Sequence, residues 1–151
     1  MSRDSCANKF QVGYYMRKLS STLFSVGLII SFLVGILHFF APYGFSWYSY
    51  IPNAPHEIYV SIDYVNFFFS LLLSGLSLLL LFFKKKIFEG SREVLAFYLF
   101  LVFTWFCRVL ITIVIAWPTS LQKWLIIGFS SEFLLIFIPV IYLFTLKKSH
   151  E

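Results

Sequence analysis

Four long apolar stretches separated by short polar ones make up most of this chain: Ser20–Ala41, Ile58–Phe83, Val94–Trp117 and Trp124–Leu146. Each is near or above the roughly 20 residues with which an α-helix crosses about 30 Å of hydrocarbon. A closed β-barrel is the other architecture that satisfies its backbone in lipid, but uninterrupted runs such as Leu71–Leu73 and Leu78–Phe83 lack the alternation of barrel strands. The pattern predicts an all-α fold, a polytopic bundle of four transmembrane helices forming one domain over residues 1–151. No internal repeat or domain boundary interrupts it.

Charge orients the bundle. Arg3, Lys9, Arg17 and Lys18 precede the first stretch, Lys84, Lys85, Lys86 and Arg92 separate the second and third, and Lys147 and Lys148 follow the fourth. Ten of the 12 Lys and Arg residues therefore fall on one side, against Lys123 alone on the other. The positive-inside rule places both termini and the middle loop in the cytoplasm. Lys84–Lys86 reads as a topology signal that also attracts anionic headgroups, so the net charge of +5 implies no nucleic-acid partner. The first stretch resembles a secretory signal in its basic lead, but it is longer than the 7–15 residues of a signal core and no small-x-small cleavage site follows before Pro42. It is expected to stay as a helix.

Composition agrees with an environment of lipid: 60% of residues are apolar, 13% are charged and 20 are Phe. It also narrows the chemistry. Cys6 is cytoplasmic by this topology and Cys107 lies within the third span, so the two cannot bridge, and no Cys-x-x-Cys is present. A haem between helices would want two facing histidines, whereas His38 is the one His within a span; His-Glu-x-x-His is also missing. No metal or other cofactor is expected.

Between the first two spans, Pro42–Glu57 combines Tyr43, Phe45, Trp47, Tyr48 and Tyr50 with Pro42, Gly44, Pro52 and Pro55. Amphipathic rings settle at headgroup level and the prolines prevent one continuous helix, so the segment reads as a cap along the outer surface. Gly27, Ser31 and Gly35 recur every four residues on the first helix and permit close approach of a neighbour. Asp63, Asn66, Ser70, Ser74 and Ser77 fall at intervals of three and four on the second, a polar stripe expected to face the bundle interior. Pro139 is expected to bend the fourth helix mildly.

Two charges lie deep inside spans, Arg108 in the third and Glu132 in the fourth. The connection Pro118–Lys123 permits only an antiparallel hairpin, and its centre at Ser120 is also the midpoint between the two charges. They are therefore expected at one level, about 13–14 Å below the outer boundary. A lone charge there costs on the order of 2.5–3.5 kcal/mol by insertion scales, so an ion pair is the expected resolution. Asn66 reaches a similar depth; His38 and Asp63 form a shallower level where they come within reach of each other. Arg108, Glu132, Asp63, Asn66 and His38 are thus the candidate binding residues of a polar pocket in the outer half. His38 has the side chain that ordinarily titrates near neutral pH, as a proton relay requires. No catalytic residue is assigned.

At His38-Phe-Phe-Ala-Pro42, Ile62-Asp63-Tyr64-Val65-Asn66-Phe67 and Phe103-Thr-Trp105-Phe-Cys-Arg108 the chain resembles small four-helix bacterial membrane proteins of DoxX-like size and layout. The resemblance implies a compact bundle in the bacterial cytoplasmic membrane with polar residues toward one side, and assigns no activity. Three functions are carried forward: an accessory or ligand-binding bundle, a proton- or solute-coupled transporter working as an oligomer or within a larger membrane complex, and a lipid- or isoprenoid-modifying enzyme. The topology is tested by cysteine-accessibility labelling. Ser49→Cys and Ser120→Cys are expected to react with an impermeant reagent from outside; reaction of both only from the cytoplasmic face would invert the orientation.

Overall fold

The computed structural model describes residues 3–148, and side-chain placement within 11–145. The side chains of Arg3, Cys6, Lys9, Lys147 and Lys148, named above, lie outside the described residues. Every regular element among the described residues is helical: α1 (Arg3–His38), α2 (Ala41–Gly44), a 3-10 turn (Trp47–Tyr50), α3 (His56–Phe82), α4 (Lys84–Phe88), α5 (Arg92–Val114) and α6 (Leu121–Lys148). Four of these are long and apolar enough to cross a membrane, over Gln11–His38, His56–Phe82, Arg92–Val114 and Leu121–Thr145.

The helix ends differ from the sequence expectation in a systematic way. α1 stops at His38 rather than Ala41, and α5 at Val114 rather than Trp117. Each end lies four residues before a proline. Proline has no N–H, so Pro42 cannot donate to the His38 carbonyl, nor Pro118 to that of Val114, and the ladder ends there. Asn66 Nδ2 donates to the orphaned His38 carbonyl at 2.5 Å. In the last turn of α5, Gln122 Nε2 donates to the Thr112 carbonyl at 2.6 Å while its Oε1 accepts from the Trp117 N–H at 2.8 Å. α1 also starts well before Ser20, because no proline or other breaker separates the apolar run from the polar residues ahead of it.

The helices form a ring. α1 packs along α3 on one side and α6 on the other, α6 also packs on α5, and α3 meets α5 over a much shorter contact that closes the ring loosely. The expected Gly27, Ser31 and Gly35 face is where α1 meets its neighbours. A Cβ on Gly27 would lie 2.5 Å from Ile136 Cγ2 of α6, and one on Gly35 would lie 2.7 Å from the Ser74 nitrogen of α3. The stripe on α3 faces inward as expected from Asn66 through Ser77, all buried, whereas Asp63 at its outer end is exposed. Ser70, Ser74 and Ser77 donate to carbonyls one turn back in their own helix, so they cost no unpaired hydroxyl where α1 presses against them.

Phe24, Leu28, Leu80, Tyr98, Leu101 and Ile136 fill the centre, with the Phe24 and Tyr98 rings 4.8 Å apart. α6 runs on through Pro139, which removes the donor for the Leu135 carbonyl. The Tyr98 hydroxyl donates to the adjacent Ile136 carbonyl at 2.5 Å. Between Pro42 and Glu57 the chain makes two short helical turns in place of one non-helical stretch. α4 ends at Phe88, and two residues on Gly90 takes a φ of 91°, the left-handed conformation that glycine adopts without strain. The close α1–α3 approach yields a test: Gly35→Ala is expected to destabilise the protein in detergent by about 1–3 kcal/mol. Gly75→Ala, with open space around it, should stay within about 0.5 kcal/mol of wild type in the same unfolding measurement.

Candidate functional site

Glu132 is the most deeply buried charged side chain described, 3% exposed, and its partner is Ser31 rather than Arg108. Ser31 Oγ lies 2.6 Å from Glu132 Oε1 and accepts the Trp105 indole N–H at 2.9 Å. An indole N–H only donates, so the direction of the chain is determined: Trp105 donates to Ser31, and the Ser31 hydroxyl hydrogen goes to the carboxylate. The middle residue of the small stripe on α1 thereby joins α5 and α6. Glu132 Oε2 has no hydrogen-bond partner among the described residues.

The expected ion pair does not form. Among the described residues, the one salt bridge is Lys85–Glu89 on the surface. Its absence follows from register. With α5 ending at Val114 and α6 beginning at Leu121, the hairpin turns about Trp117 and Pro118 instead of Ser120. Glu132 shares Ser31 with Trp105, which lies three residues before Arg108 along α5, so the carboxylate sits about one turn deeper than the guanidinium. Arg108 is level with Phe129, its guanidinium 4.8 Å from that ring centre and 6.0 Å from that of Phe69. Ring faces, which attract cations through their quadrupoles, stand where a carboxylate was expected.

Arg108 borders a cleft of about 210 Å3 whose lining also includes His38, Phe69, Trp105, Cys107 and Phe129. All four long helices contribute, and the cleft occupies the loosely closed side where α3 and α5 face each other. Trp105 is the shared element, a wall of the cleft on one side and the donor to Ser31 on the other. His38 Nδ1 is 2.9 Å from the Val34 carbonyl, and its ring lies 5.2 Å from that of Phe69, so it does not meet Asp63.

Asp63 belongs to a different place. It accepts the Tyr48 hydroxyl and fastens the 3-10 turn to α3. That hydrogen bond pushes the Tyr48 phenol up to about 12, since ionisation would break it and set two negative charges side by side. Tyr59 adds a second tie, its hydroxyl 2.5 Å from the Ile51 carbonyl. Asn66, as described, is occupied with the His38 backbone. Of the five candidate residues, then, Arg108 and His38 share a cleft, Glu132 lies behind its Trp105 wall, Asn66 holds the end of α1, and Asp63 anchors the cap segment. Sequence reasoning gave Ser31 a packing role and passed over Phe69 and Phe129. Trp105 one turn before Arg108 was the available signal, because a buried indole N–H needs an acceptor.

No protein-family model, curated protein or solved structure matches this chain.

Two double-mutant cycles check the arrangement. Ser31→Ala combined with Glu132→Leu is expected to show a coupling of about 1 kcal/mol or more, whereas Arg108→Leu with Glu132→Leu should couple by less than about 0.5 kcal/mol. Strong coupling in the second cycle would restore the ion pair.

Proposed function

We propose that this protein is a small integral membrane protein that binds an amphipathic, anionic molecule dissolved in the bilayer, with Arg108 as the polar anchor and the cleft between α3 and α5 as the apolar part of the site. One observation carries the reading: a guanidinium inside a span has no carboxylate within salt-bridge reach among the described residues and instead borders a largely apolar cleft. Ring faces contribute about 0.5–2 kcal/mol to a cation, less than the roughly 2.5–3.5 kcal/mol that its place in the membrane costs. An anion supplied by a ligand makes up the difference. The cleft is smaller than the about 300–1,000 Å3 of sites that enclose a drug-sized molecule, so the occupant inserts only a chain or a small group.

The setting belongs to the same proposal: a multi-pass protein of the bacterial cytoplasmic membrane, with both termini in the cytoplasm and the cleft in the outer half. The partition of basic residues among the connections supports the orientation, and the DoxX-like layout supports the bacterial setting. A second reading, a proton- or solute-coupled transporter, is favoured by the partnerless Oε2 of Glu132. A pH-dependent flux in reconstituted vesicles that Glu132→Gln abolishes would establish it.

The binding reading is tested on the full chain purified in mild detergent. Mass spectrometry is expected to find an anionic amphiphile with the wild type, far less of it with Arg108→Gln and an intermediate amount with Arg108→Lys. Cys107, which lines the cleft, serves as a second readout: the recovered fraction should slow its reaction with a maleimide in the wild type and not in Arg108→Gln. Equal recovery from all three proteins, with Cys107 labelling unaffected, would overturn the reading.

A further inference from the structure

Toward the opposite end of the bundle, where α6 ends, a larger cavity of about 670 Å3 lies between residues 14–21 of α1 and the α3–α4 corner. Arg17, Lys18, Lys84 and Lys85 line it together with Ser21, and Glu89 is the one carboxylate in the lining. Glu89 is already engaged by Lys85, 3.8 Å away on the surface. Three cations therefore face the cavity without a counter-charge from its lining.

Lys84 is the informative one. A lysine at the end of a span ordinarily extends its ammonium away from the hydrocarbon toward water. Lys84, the first residue after the corner at Phe83, instead reaches across to α1, where its Nζ donates to Ser25 Oγ at 2.7 Å. The Ser25 hydroxyl hydrogen is spent on the Ser21 carbonyl at 3.1 Å, so Ser25 offers Lys84 only a neutral lone pair. Two ammonium donors remain, and partial burial lowers the Lys84 pKa, the mark of a cation deprived of water without receiving an anion. Phe82 and Phe88 add apolar wall on the hydrocarbon side.

We propose that this cavity is a phosphate site, in which Lys84, Arg17 and Lys18 converge on one phosphate group at the membrane surface. Lysine binds phosphate as a compact charge, and three cations from two directions suit a group with oxygens on every side better than a planar carboxylate. The phosphate comes either from a phospholipid headgroup, whose chains would continue past Phe82, or from a free anion in the aqueous phase. The proposal stands on different residues from the Arg108 cleft and does not depend on it.

The test measures thermal shifts of the purified full chain in detergent with three additions: inorganic phosphate, phosphatidylglycerol and phosphatidylcholine. A shift with phosphatidylglycerol alone identifies a lipid headgroup site, and a shift with inorganic phosphate identifies a free-anion site. In either case Lys84→Met should weaken the apparent affinity by about five-fold, as expected for one lysine at an anionic surface. Lys86→Met, whose ammonium lies over the Phe83 ring outside the cavity lining, should weaken it clearly less than Lys84→Met does. Ser25→Ala separates charge from fold, because it removes the same hydrogen bond but keeps the ammonium and is expected to retain binding. No shift with either phosphate source, or equal losses in Lys84→Met and Lys86→Met, would overturn the proposal.

Discussion

Hydrocarbon offers no hydrogen bonds, so a backbone carbonyl deprived of its helical donor needs one from the protein, and this bundle is organised around that need. Pro42 frees the carbonyl of His38, and Asn66 on α3 takes it. Near the break imposed by Pro118, Gln122 ties the last turn of α5 to the connection and to the start of α6. Beside the gap that Pro139 leaves in α6, the Tyr98 hydroxyl reaches the Ile136 carbonyl from α5. Each bond crosses from one element to another, so the proline positions and the helix contacts support the same arrangement.

Class and helix count were legible because they depend on hydropathy summed over whole spans. The faces were legible as well: the positions of Gly35, Ser70 and Ser74 follow from helical period alone, and as that period requires Gly35 meets Ser74 while Ser70 is buried. The helix ends were read less well. An apolar run continues up to the residue before a proline, while the hydrogen-bond ladder stops four residues before it. That offset moved the end of α5 from Trp117 to Val114, and the start of α6 moved from Trp124 to Leu121. Both changes displaced the hairpin the same way, which is why Arg108 and Glu132 miss each other by about one turn.

The two charges are consequently settled by different means. Glu132 receives a hydroxyl hydrogen from a serine on a third helix, a partner that antiparallel pairing of α5 with α6 could not reveal. Arg108 receives aromatic faces from α3 and α6, and in a chain with 20 Phe no single phenylalanine stands out as a cation's neighbour. Asp63 was misleading for the opposite reason. It shares the period of the buried stripe, yet its partner Tyr48 comes from the short turns between α2 and α3, whose path helical period does not predict.

The loose contact between α3 and α5 has a consequence for how occupancy is set. On the proposed binding reading, a cleft on that side of the ring opens toward acyl chains, so a molecule entering it leaves the membrane phase without passing through water. Its relevant concentration is a mole fraction within the bilayer, and the partition coefficient of the molecule enters before any contact with the protein is made. Extraction into micelles dilutes that mole fraction whatever the volume of buffer. Detergent-to-lipid ratio, rather than protein concentration, then governs how much of an occupant stays bound through purification.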